Sequence, residues 1–199
     1  MTYPQTPEII AGGNGCSFRW NAEKLIFAIL KRKNAMQSAN LLHSIFHFSR
    51  LPGVSHKFCD ISLWATAIVT NSLAIAQIVS ETNHELLFAG GKLQKQGKSF
   101  VGPFTTAIID SIVIDTAFMS SDGFMDGPTT FSHEEMEVKK HVINRSTQKI
   151  LLSDSSKFSK HSTYTFAKCS DYDYLICDDI KNQDKKRIEG IKSIIIAET

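Results

Sequence analysis

The chain lacks any apolar stretch near the ~20 residues needed to cross a bilayer. Its first 15 residues show no basic-then-apolar leader pattern. Both absences point to a cytoplasmic protein with no membrane partner. The cysteines, Cys16, Cys59, Cys169 and Cys177, include no C-x-x-C pair and no regular framework, which argues against a disulfide scaffold and for reduced thiols. Neither sign of charge dominates: 22 Lys and Arg face 20 Asp and Glu, for a net charge of +2. That balance gives no nucleic-acid surface by itself, and the short basic run Lys185-Lys186-Arg187 reads as a solvated patch. No G-x-G-x-x-G, P-loop or G-x-S-x-G sequence occurs. His43 and His47 have the i, i+4 spacing of a helical metal pair, but no third ligand sits at a motif spacing and Cys59 is remote, so neither a metal nor a cofactor is expected. The 13 phenylalanines lack interleaved basic residues, and read as core rather than as a base-stacking surface.

What is present is enough for one ordinary globular domain with an appendage: 199 residues, 42% of them hydrophobic. From Ala67 onward, short β-branched or apolar runs alternate with helical patterns. Strands are expected at Ala67–Thr70, Glu85–Ala89, Ile114–Met119, Lys149–Ser153, Tyr172–Cys177 and Lys192–Ala197, with an edge strand at Ser162–Phe166. Helices are expected after Asn71-Ser72, from Pro103, and after Ser132, where Ser132-His133-Glu134-Glu135 has the form of a reciprocal capping box. In the last helix Val138 stacks with Val142, and Met136 with Ile143. This alternation predicts an α/β fold: an open, mostly parallel sheet with helices on both faces. Residues 67–199 form that domain. Residues 1–66 form an irregular N-terminal segment, with a turn-rich connector at Gly12–Gly15, a helix-forming stretch at Ala22–Leu42, and no clean period from His43 to Trp64.

In such a sheet, ligands bind beyond the carboxyl ends of the strands, which directs attention to four loops. Thr70-Asn71-Ser72 sits where a strand ends and a helix starts, either an anion site or an ordinary N-cap. Gly90-Gly91-Lys92 allows close backbone approach and adds a charge, or is a plain turn. Ser121-Asp122-Gly123-Phe124 offers Asp122 to sugar hydroxyls, or is a plain turn. Asp154-Ser155-Ser156-Lys157 places a lysine among hydroxyls after a buried strand, a reasonable anion site.

These loops, with Ala89-Gly90-Gly91-Lys92-Leu93, Phe100-Val101-Gly102-Pro103, Asp115-Thr116-Ala117-Phe118, Glu134-Glu135 followed by Glu137-Val138-Lys139, and Tyr174-Leu175-Ile176-Cys177-Asp178-Asp179, follow one another in a familiar order. The string resembles the C-terminal effector domain of DeoR-type transcriptional regulators and covers a little over half the chain, about Ala67 to Asp179. The resemblance implies a bacterial repressor, often of sugar catabolism, with a fold similar to ribose-phosphate isomerases. It implies a phosphorylated sugar or related metabolite as effector, an oligomeric assembly, and DNA contact through an N-terminal winged helix-turn-helix. Carried onto this chain, Thr70, Asn71, Ser72, Gly90, Gly91, Lys92, Gly102, Asp122, Gly123, Glu135 and Lys157 are the expected effector-binding positions. Asn71, Ser72 and Lys157 hold phosphate, Asp122 and Glu135 hold hydroxyls or shape the pocket, and Lys139 pairs with Glu135.

The sequence departs from the family in two places. No winged helix-turn-helix precedes the sensor, so any DNA contact runs through a head absent from this chain. The Asp-Ser-Gly-Thr-Thr-like phosphate loop expected upstream of Thr70 has no counterpart between Phe46 and Thr66, where His56-Lys57-Phe58-Cys59-Asp60 is no substitute. A scrambled stretch there would account for the abrupt return of pattern near Ile68, would remove a central strand, and would weaken effector binding. Two other readings compete: a sugar-phosphate isomerase using Asp122 and Glu135 as acid and base, and a truncated remnant that only oligomerises.

Overall fold

The computed structural model describes residues 67–82 and 84–196, together with the backbone of Ser44–Phe48. Ala22–Leu42, His43 and Phe46–Thr66 other than that backbone, like the Gly12–Gly15 connector, lie outside the described residues.

Residues Ala67–Thr70 (β2) are short, β-branched and buried without alternation, the pattern of a strand covered on both faces. Leu73–Ser80 (α1) follows and turns Ile75, Ala76 and Val79 inward. Glu85–Phe88 (β3) returns parallel to β2. Pro103 then opens Pro103–Asp110 (α2), where its missing N–H costs nothing; the residue before it, Gly102, has φ 96°, a conformation that favours glycine. Ile114–Ser120 (β6) is the long central strand. His133–Arg145 (α3) runs without a loop into Ser146–Leu152 (β9), the Ser146 hydroxyl donating to the Val142 carbonyl at 2.6 Å. Tyr174–Cys177 (β11) and Ser193–Ile196 (β12) complete the series.

These strands and Ser44–Phe48 (β1) make a seven-stranded sheet in the order β12-β11-β9-β6-β1-β2-β3. The pairs β12–β11, β11–β9, β9–β6 and β2–β3 are parallel. β1 is antiparallel to both β2 and β6, so the other six strands share one direction. One face buries Ile68, Phe118, Ile150 and Leu152 with Ile75 and Val79 of α1. The other buries Val69, Met119, Leu151 and Leu175 with Ile109 of α2 and Val138 and Val142 of α3. Helices on both faces of a mostly parallel sheet are what the alternating pattern predicts.

Several expectations are corrected. The central position does not vanish with the phosphate loop: β1 fills it, running the opposite way. β1 is a strand, so His47 is not helical, and its expected partner His43 lies outside the described residues. The edge strand expected at Ser162–Phe166 is shorter, Tyr164–Thr165 (β10). It belongs to a separate three-stranded sheet with Pro128–Thr130 (β8) and Gly123–Phe124 (β7). A hairpin of Lys92–Gln94 (β4) and Ser99–Val101 (β5) was not foreseen.

Candidate functional site

The carboxyl ends of β2, β6, β9 and β11 carry Asn71, Ser121-Asp122, Asp154 and Asp178 in turn. Between the first two, β1 presents its amino end, with Ser44 opposite Met119 and Ile45 opposite Thr70. Among the described residues no strand-exit loop rises from the centre of this edge.

At the β2 tip, Asn71 is 2% exposed. Its Nδ2 donates to the Phe100 carbonyl at 2.8 Å, while its Oδ1 is buried with no partner. The Phe100 N–H donates back to the Asn71 carbonyl at 2.8 Å, and Ser72 forms a bridge with Ser99. Thr70 Oγ accepts from the Ser72 N–H at 3.1 Å. The β2 tip is thereby fastened to β5.

From β5 a ladder of buried polar groups runs across to β6. Ser99 Oγ reaches Glu135 Oε1 (3.2 Å) and Gln94 Oε1 (3.5 Å). Thr130 Oγ lies 2.8 Å from Glu135 Oε2 and 3.0 Å from Asp122 Oδ2. Asp122 also accepts from the Phe131 N–H at 3.3 Å. Ser99 is in β5, Glu135 on the first turn of α3, Thr130 in β8 and Asp122 in the β6–β7 corner, so four separate elements meet here. This corrects the capping box: Ser132 Oγ accepts from the Glu135 N–H at 3.4 Å, but the Glu135 carboxylate turns to Ser99 and Thr130.

Beneath the ladder lies Lys139, 2% exposed. Its ammonium donates to the Ser120 carbonyl at 2.9 Å and sits 4.6 Å from the centre of the Phe166 ring. Burial lowers its pKa below the ordinary lysine value; the charges of Glu135 and Asp122 oppose that shift, and Lys157 adds to it. Lys139 therefore bonds a strand-end carbonyl rather than pairing with Glu135 alone, and the charges of both carboxylates favour its ammonium form.

That turn is well braced. Asp154 caps it, accepting from the Ser156 N–H at 3.0 Å and from the Ser156 hydroxyl. Asp178, from the β11 tip, accepts from the Ser155 N–H at 2.6 Å and from its hydroxyl at 3.0 Å. Lys157, half-buried, projects from this turn.

The remaining expected positions are spread more widely. Thr105 Oγ donates to the Gly90 carbonyl at 2.8 Å. A Cβ on Gly91, whose φ is 154°, would meet the Thr105 hydroxyl and stand 2.8 Å from the Val101 carbonyl. This loop thus packs against α2. Lys92 is exposed and pairs with Glu134 at 3.0 Å. Gly102 starts α2 with open space around its Cα. Gly123 packs its Cα against the Lys160 backbone, where a Cβ would stand 2.5 Å from the carbonyl oxygen. The geometry links Asp122 and Glu135 through Thr130, and ties Asn71 to the same ladder through Phe100 and β5. It adds Ser99, Thr130, Lys139 and Asp178, of which the first two were readable only as β-strand hydroxyls. Among the described residues no group of three His, Cys, Asp or Glu could hold a metal, and no helix is long and apolar enough to cross a membrane.

A mostly parallel sheet with helices on both faces and buried, mutually bonded polar groups at its strand ends defines an open α/β domain. The profile described as the DeoR C terminal sensor domain matches residues 60–179, and the chain belongs to that family. It is 33% identical over 113 residues to an HTH-type transcriptional regulator of Haemophilus influenzae, covering 56% of this chain and 44% of that protein. It is 32% identical over 118 residues to the HTH-type transcriptional repressor GlcR of Bacillus subtilis, covering 58% and 46%. It is 28% identical over 140 residues to the lactose phosphotransferase system repressor of Staphylococcus epidermidis, covering 68% and 56%. The chain thus spans about half the length of the curated relatives it matches, and these relatives are named as transcriptional regulators.

Proposed function

We propose that this chain is the effector-sensing part of a DeoR-type bacterial transcriptional repressor, and that it binds a phosphorylated sugar or related metabolite without turning it over. The observation that carries this reading is the polar ladder at the strand ends, with Asn71, Asp122 and Glu135 buried in it. Lys157 supplies a point charge for phosphate, beside the Asp154-capped and Asp178-braced turn. Asp122 and Glu135 supply acceptors for hydroxyls. The name of the lactose phosphotransferase system repressor agrees with a sugar-derived ligand.

With β1 reversed, no strand-exit loop lies between Asn71 and Ser121 among the described residues. Each charge-assisted hydrogen bond such a loop would provide is worth ~1.5–3 kcal/mol, so binding is weaker than in a relative that has one. Effector binding biases a self-associated assembly between two arrangements, and DNA is reached through a helix-turn-helix other than this domain. The protein works in the cytoplasm.

A thermal-shift screen against a broad panel of sugar phosphates tests the reading. A true effector at a hundred times its Kd adds about 2.7 kcal/mol of stability. Absence of stabilisation by every member of the panel contradicts the reading.

A further inference from the structure

Two buried side-chain atoms at the carboxyl edge of the sheet have no partner within the protein, Asn71 Oδ1 and Ser121 Oγ. Their residues are 2% and 3% exposed. The Phe100 carbonyl decides which Asn71 atom is which: it accepts from Nδ2, so the oxygen is the one left over. Neighbouring donors are turned elsewhere. The Asp122 N–H goes to the Thr129 carbonyl, and the Lys139 ammonium bonds the carbonyl of Ser120.

The sheet register sets the two atoms on one face. Thr70 and Phe118 both stand opposite Ile45, so Asn71 and Met119 are level, two strand spacings or about 10 Å apart. Val69, Ala117 and Met119 turn to the side covered by α2 and α3. Strand alternation carries Asn71 and Ser121 to that same side, with Ser121 two residues beyond Met119 and next to Asp122. Buried polar groups in folded proteins are normally satisfied, and these two call for an outside group. Asn71 Oδ1 needs a donor, and the Ser121 hydroxyl donates or accepts. A phosphate dianion brings acceptors alone. Hydroxyl groups serve both atoms.

On the reading that this is an effector site, we infer that Ser121 is a ligand-contacting residue that works with Asn71 on the sugar or polyol part of the effector. The Ser121 hydroxyl donates to one ligand hydroxyl, and another ligand hydroxyl donates to Asn71 Oδ1. Both atoms are closed to solvent, so this part of the ligand is enclosed and the strand-end loops part to admit it. A hydroxyl whose bond forms only with the ligand burdens the free chain, because its desolvation goes uncompensated. Removing it relieves the free chain and harms the complex. A hydroxyl satisfied by a trapped water behaves the other way, since its removal breaks a bond the free chain already has.

Urea unfolding and titration calorimetry on the whole chain and on Ser121→Ala test this, with sorbitol 6-phosphate and inorganic phosphate as probes. The expected result is a urea midpoint in Ser121→Ala equal to or above that of the parent, with sorbitol 6-phosphate bound at least tenfold more weakly and inorganic phosphate bound as before. A lower midpoint assigns the hydroxyl to a partner in the free protein and overturns the inference. So does unchanged affinity of Ser121→Ala for sorbitol 6-phosphate, or a parent chain that binds sorbitol 6-phosphate no tighter than inorganic phosphate; in both cases the effector reading survives on the Lys157 anion site. Should the parent bind neither probe, both fall.

Discussion

Replacing Thr130 by valine removes a hydroxyl that joins two buried carboxylates, and its cost can be worked from the structure. Thr130 is fully buried, so water cannot take the place of its proton. A hydrogen bond to a charged acceptor contributes ~1.5–3 kcal/mol, and only one such bond is lost because there is only one proton. The new methyl group stands 2.8 and 3.0 Å from carboxylate oxygens, inside the ordinary C···O contact of about 3.3–3.6 Å, so the ladder must also spread. The two effects together give a loss of about 3 kcal/mol. Thr130→Ser keeps the hydroxyl and gives up one methyl, about 1 kcal/mol. Urea unfolding of the three proteins, followed by circular dichroism, reads the difference directly, with the denaturant slope unchanged. A valine variant as stable as the serine variant would refute the claim that the hydroxyl organises the site.

Other outcomes follow from the same geometry. Gly123→Ala places a Cβ 2.5 Å from the Lys160 carbonyl oxygen and 2.6 Å from its carbon; backbone on both sides must move, and a loss of about 2–3 kcal/mol is expected in the same unfolding assay. Burial raises the Cys169 and Cys177 thiols from about 9 to about 11. Since their folded pKa values are the higher ones, their contribution to stability is intact below pH 9 and is lost as pH rises toward 11, on the order of 2 kcal/mol each. A pH series of urea midpoints checks this, and a flat profile from 9 to 11 contradicts it. In the native state at pH 8 both thiols resist iodoacetamide and become reactive on unfolding. Asp178→Ala frees the Ser155 N–H and hydroxyl; it weakens inorganic phosphate binding by calorimetry in the same direction as Lys157→Ala, while Asp178→Asn, which keeps an acceptor, restores part of it.

The elements that could be read from the chain are those with a continuous buried signal. Ala67–Thr70, Ile114–Ser120 and Tyr174–Cys177 are β-branched or apolar runs, and their structure follows the pattern to within a few residues. The hairpin at Lys92–Gln94 and Ser99–Val101 is invisible because its strands are three residues long and mostly polar or exposed on the first side. The direction of β1 cannot be read from composition at all, since a five-residue apolar strand fits either way and its neighbours decide. The four strand-end loops were legible from the rule that parallel sheets bind at their carboxyl ends. Their cross-links were not: Thr130 and Ser99 are hydroxyls within strands, and only tertiary packing turns them toward Glu135. Lys139 and Glu135 have the spacing of a helical ion pair, yet burial sends the lysine to the Ser120 carbonyl.

The most direct test of the convergence of these strand ends is a crystal structure of the chain with sorbitol 6-phosphate bound. The account predicts phosphate oxygens within hydrogen-bond reach of Lys157 Nζ and ligand hydroxyls on Asn71 Oδ1 and Asp122. Density for the ligand in the separate apolar hollow formed by Ile188, Ile191, Ile194 and Ile196 beside β12, with the Asp122–Thr130–Glu135 ladder untouched, would contradict it.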